Sequence, residues 1–63
     1  MKLSESLQKT AKEALTKEDR IALSEMTGII ISGIYNALRG ERDLTPTQYD
    51  IIQKYLLNKA KNG

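Results

Sequence analysis

The stretch Arg20–Arg39, RIALSEMTGIIISGIYNALR, decides how this chain is read. Its apolar residues recur at helical spacing on both sides of Gly28, the pattern of two helices joined by a glycine turn. Gly28 can take left-handed backbone without a Cβ penalty, so it ends the first helix of the pair cheaply. So short a link forces the two helices to cross steeply. Ser24 is small, where the second helix passes close to the first. Leu23 and Ile34 are expected to meet between them, with Met26, Ile29, Ala37 and Leu38 closing the core. The second helix should run over about residues 31–39, stopped by Gly40 as the first is by Gly28.

Working outward, Leu3, Leu7, Ala11 and Ala14/Leu15 form one apolar stripe on an upstream helix. Lys2, Glu5, Lys9, Lys12 and Glu13 cover its other side, with Glu5 and Lys9 at the i, i+4 spacing that favours an ion pair. Thr16 and Asp19 stand as a capping box with Asp in place of the usual Glu, so the next helix starts near Lys17. Glu18 and Asp19 in its first turn complement the helix dipole. Downstream, Glu41–Leu44 reads as a short polar connection. Thr45-Pro46-Thr47-Gln48 then supplies an N-cap, a first-position proline and a closing glutamine. The last helix should pass through Tyr49, Ile52, Tyr55 and Leu56 to about Lys59, with Ala60–Gly63 fraying. The expectation is a compact all-α fold of four short helices, with room for a short fifth turn, forming one domain over residues 1–63.

With 63 residues and no cysteine or histidine, the chain offers neither a disulfide staple nor the usual ligands of a structural zinc site. Stability must come from well-packed helices, a partner subunit, or both. The absence of His and Cys removes the commonest nucleophiles and general bases, and no glycine-rich phosphate loop follows a strand. The eight acidic residues scatter over polar helix faces. A non-catalytic protein without metal or cofactor is therefore expected. No apolar run is long enough for a membrane span, and the alternating Met1–Leu15 segment does not read as a signal peptide, so a cytoplasmic location is expected.

The residues Leu23-Ser24-Glu25-Met26-Thr27-Gly28 and Ser32-Gly33-Ile34-Tyr35-Asn36-Ala37-Leu38-Arg39-Gly40 resemble the helix-turn-helix of the Cro / lambda-repressor-like family of DNA-binding domains. The small residue, the turn glycine and the buried aliphatic stand at that family's intervals of four and six residues, and the resemblance covers about three quarters of the chain, Ala14 to Leu57. It implies that the helix from about Ile31 enters the major groove of double-stranded DNA, and that the chain is a small transcriptional regulator, a Cro-type repressor acting by operator occupancy in a bacterial or phage-infected cell. Carried over position by position, base contacts fall on Ile31, Ser32, Tyr35, Asn36 and Arg39, with Ile30 beside them. Asn36 suits the paired groups of adenine, and Arg39 a guanine or a phosphate. Lys17, Arg20 and Thr27 would reach phosphates from the preceding helix, and Arg42 from the loop beyond.

Charge supports that surface independently: no Asp or Glu occurs between Met26 and Gly40, where a carboxylate would repel the DNA backbone. One short helix with few arginines reads too little DNA alone, so two copies about 34 Å apart on a palindrome are expected. Their interface is placed on the last helix, where Ile51, Ile52, Tyr55, Leu56 and Leu57 exceed what one stripe buries. Ile29-Ile30-Ile31 departs from the family pattern. Ile29 has a place in the core, but Ile30 cannot cap a helix. Ile30 and Ile31 would press on thymine methyls or form an apolar patch for a protein partner. The second reading is a protein-interaction module, antirepressor or antitoxin-like, using the Ile29–Ile31 surface. The lack of an aromatic stacking platform argues against RNA.

Overall fold

The starts and stops of the helices follow from single side chains. In the computed structural model, which describes residues 1–62 apart from the Asn62 side chain, four helices follow in order: α1 (Glu5–Ala14), α2 (Lys17–Thr27), α3 (Ile31–Leu38) and α4 (Pro46–Asn62). No strand and no fifth helix occur among the described residues. Ser4 caps α1, its hydroxyl accepting from the Leu7 amide at 3.3 Å. At α2, Thr16 Oγ1 accepts from the Asp19 amide (3.2 Å) while the Asp19 carboxylate accepts from the Thr16 amide (2.8 Å), which closes the box. Thr45 and Gln48 exchange the same pair of bonds at α4, both at 3.1 Å. Gly28 (φ 75°) ends α2 and Gly40 (φ 77°) follows α3, both in the left-handed region. The expected fraying does not begin at Ala60: Ala60 and Lys61 stand inside α4, and Gly63 lies outside the described residues.

Between α2 and α3 the chain bends by 106°. The turn is held by hydroxyls. Ser24 donates to the Ile29 carbonyl; Thr27 donates to the Leu23 carbonyl (2.7 Å) and accepts from the Ile29 amide (3.3 Å). α3 packs on α1 and α2, α4 packs on the same two helices, and the backbones of α3 and α4 stay apart. One core cluster lies among them, with Leu23, Ile34, Ile52 and Leu56 fully buried at its centre and Leu3, Leu7, Ala11 and Leu15 along α1. No helix among the described residues is long and apolar enough on its own to cross a membrane.

Three expectations about packing are corrected. Met26 is 52 % exposed, because α2 buries a narrow stripe through Asp19 and Leu23, and Ile29, just past the turn, is buried instead. Leu44 is not part of a polar connection: it is 3 % exposed, and its amide donates to the Met1 carbonyl at 2.7 Å. Leu56, expected at an interface between copies, is fully buried in the chain's own core.

Asp19 ties α2 to α4 as well as capping α2. Its carboxylate accepts from the Tyr55 hydroxyl at 2.6 Å and pairs with Lys59 Nζ at 3.2 Å. The Thr16 amide first, then the Tyr55 hydroxyl, hold Asp19 far below the usual carboxylate range, against burial, which acts the other way. The same bond, with burial, pushes the Tyr55 phenol up. Tyr55 and Ile51, also expected at the interface, pack against the core, and only Leu57 of that group (53 % exposed) faces outward in full.

Candidate nucleic-acid interface

The eight residues of α3 alternate between packing and presentation. Gly33, Ile34, Ala37 and Leu38 are buried, which turns Ser32, Tyr35 and the C-cap Arg39 outward together with Ile31. Asn36 is half-buried. All five expected base-contact residues therefore share one accessible side of α3. Ile30, the N-cap residue, is 70 % exposed and makes no side-chain capping bond.

The polar residues of this face are linked at its C-terminal end. Arg39 Nε donates to the Glu41 carboxylate at 3.1 Å, and another guanidinium nitrogen donates to the Asn36 side-chain oxygen. Glu41 lies just beyond the acid-free span noted in the sequence, and it partly neutralises the arginine that the face presents. With its oxygen turned to Arg39, Asn36 keeps its amide donors for other acceptors.

Of the four expected phosphate contacts, Lys17 and Arg42 are exposed. Arg42 reaches back over the first turn of α3, with a guanidinium nitrogen 3.1 Å from where a Cβ on Gly33 would stand. The other two are corrected. The single hydroxyl donor of Thr27 is already given to the Leu23 carbonyl, and a phosphate offers only acceptors. Arg20 is half-buried and turned inward: it donates to the Leu15 carbonyl at 3.1 Å, its Cζ lies 5.3 Å from the centre of the Tyr35 ring, and its Nε is buried without a hydrogen-bond partner. Arg20 thus braces Tyr35 from behind through a cation–π contact.

Beside the Tyr35–Arg39 edge, between α1 and α3, runs a groove of about 670 Å³. Lys9 and Lys12 line its α1 side, and Ala11 and Leu38 contribute apolar surface. The expected Glu5–Lys9 ion pair is not formed among the described residues; both side chains line the groove instead. Lys9 and Lys12 were not among the expected contact residues. Their spacing shows only that they share one side of α1; that this side meets α3 is a matter of packing, with no local signature. The chain matches no family model, no curated protein and no solved structure.

Proposed function

We propose that the protein is a non-catalytic, sequence-specific binder of double-stranded DNA, a small helix-turn-helix regulator of the lambda-repressor-like kind that acts by occupying its operator. The observation that carries this reading is the α2–α3 pair: two helices at 106° across a left-handed glycine, with the outer side of the second free of carboxylates. Helix pairs that place their second member in the major groove cross at about 90–120°. Ser32 and Asn36 then face base edges, Arg39 a guanine or a phosphate, and Ile31 and Tyr35 thymine methyls. Lys17 and Arg42 anchor phosphates on either side. Two copies on a palindrome supply the affinity that one short helix lacks, with Leu57 on α4 as the apolar residue open to a second copy.

Selection from a random duplex pool tests this. The natural chain should enrich a palindrome, and the Asn36→Ala/Arg39→Ala variant should not. An unenriched pool, with no duplex retained even at about 50 mM salt, overturns the reading, because electrostatic binding is strongest at low salt.

The exposure of Ile30 and Met26 favours a second reading, a protein-interaction module on the same scaffold. Replacing Ile30 and Ile31 by serine separates the two. Loss of a protein complex with duplex binding intact supports the module, and loss of duplex binding supports the DNA reader.

A further inference from the structure

The groove between α1 and α3 gathers charge that the chain leaves unneutralised. Lys54 is paired with Asp50 and Lys59 with Asp19, yet Lys9, Lys12 and Arg20 have no carboxylate partner among the described residues. All three line this groove, and Arg39 joins them from α3. Against four cations stand two carboxylates, Glu5 and Glu41, and Glu41 is engaged by Arg39. The excess of positive charge in the groove is therefore two, equal to that of the whole chain. Tyr35, braced by Arg20, forms a flat aromatic wall beside these cations. A concave surface of this sign concentrates anions, and low-dielectric walls sharpen the field. Lysine ammoniums and an arginine fork are the usual donors to phosphate oxygens.

We infer that the α1–α3 groove is a phosphate-binding site, in which Lys9, Lys12 and Arg39 hold the anion and Tyr35 forms the wall. Arg20, which lines the groove against the Tyr35 ring, positions that ring and adds its charge. The inference does not depend on the DNA reading, because Lys9 and Lys12 on α1 take no part in that contact face. Two sources present the same chemistry: the phosphodiester backbone of a duplex, and a free phosphorylated small molecule. Since Tyr35 and Arg39 belong both to the groove and to the outer side of α3, a free ligand here would compete with the duplex for those two side chains.

The test is an amide-resolved NMR titration of the full chain with inorganic phosphate at constant ionic strength. Residues Lys9, Lys12, Tyr35 and Arg39 should shift together and saturate. The Lys9→Gln/Lys12→Gln variant should weaken binding about tenfold or more. A control that removes the same charge elsewhere, Lys2→Gln/Lys61→Gln, should stay within about twofold. Glu41→Gln frees Arg39 and should tighten binding a few-fold. All five substituted positions are exposed in the folded chain, and the amide spectrum reports directly that each variant is folded. Groove amides that do not move below about 50 mM phosphate overturn the inference, as does a control that weakens binding as much as the groove pair.

Two further probes assign the source. Duplex affinity lowered by the groove pair but not by the control identifies the DNA backbone. A nucleoside monophosphate bound more tightly than inorganic phosphate, with duplex binding indifferent to Lys9 and Lys12, identifies a free ligand. If neither holds, the phosphate response is that of an adventitious ion only, and the inference falls. A chain that fills the groove but selects no duplex keeps this inference and loses the DNA reading; the converse result does the reverse.

Discussion

Three helices of this molecule begin one way and the fourth begins another. α1, α2 and α4 each start behind a hydroxyl, on Ser4, Thr16 and Thr45, that accepts an amide of the first turn. α3 starts behind Ile30, which has no side-chain acceptor. Capped ends add stability, since they satisfy amides that would otherwise need water. The bare end is more costly and sits on the surface that presents Ile31, Ser32 and Tyr35. Departures from local rules gather where a surface is kept for something outside the chain. α3 is the helix with such a departure, and it is also the one on which the functional proposal rests.

The largest effect is expected at Asp19, in a capped end. Asp19→Ala removes the α2 box together with the ties to Tyr55 and Lys59, and should cost about 2–4 kcal/mol in urea unfolding. That is a large share of the roughly 3–9 kcal/mol a domain of this size can hold. The loss carries a pH signature. Asp19 titrates lower in the folded chain than when unfolded, so its contribution is present at neutral pH and is lost as pH falls below about 4, toward the depressed folded value. The gap between wild type and Asp19→Ala should narrow from pH 7 to about pH 3; a constant gap would contradict the pairing. Tyr55 works at the other limit. Its raised pKa means that its share is kept below about pH 10 and lost above it.

A middle-sized effect is expected in the first turn of α3. A Cβ at Gly33 would stand 2.7 Å from Ile29 Cγ2, and Ile29 is buried in the core. Gly33→Ala should therefore cost about 1–3 kcal/mol by overpacking, despite the better helix propensity of alanine. A more stable variant would show that the core around Ile29 yields.

The smallest change should have the opposite sign. Ile30→Thr supplies the missing cap at a position where the isoleucine is already 70 % exposed. A gain of about 0.5–1 kcal/mol is expected, read from the thermal or urea midpoint. A loss would mean that the isoleucine does more for the fold than its exposure indicates.

What the sequence made legible was local. The boxes at Thr16/Asp19 and Thr45/Gln48 and the turn at Gly28 each depend on residues within four positions of one another, and each stands where expected. The burial of Leu7 and Ala11 on α1, Leu23 on α2 and Ile34 on α3 follows from helical period, while Leu3 and Ile29, buried as expected, stand just before α1 and between α2 and α3. The misreadings were of two kinds. Leu44 lies in a loop, where period gives no information, and its burial depends on the Met1 segment 43 positions away. Asp19 with Tyr55, and Arg20 with Tyr35, join helices whose mutual placement is set by the whole core. For the candidate site, periodicity identified the outer side of α3, but the inward turn of Thr27 and Arg20, and the approach of Lys9 and Lys12, depend on tertiary packing.

The hydroxyl bonds in the turn after α2 have a consequence for association. Ser24 and Thr27 fix Ile29 to the end of α2 from both its carbonyl and its amide, so the angle of α3 is set before anything meets it. Ordering a loop or side chain on docking costs about 0.5–1.5 kcal/mol for each group immobilised, and here the turn has already met that cost during folding. Any surface that α3 engages therefore meets a preorganised edge, and it must fit that edge as it stands.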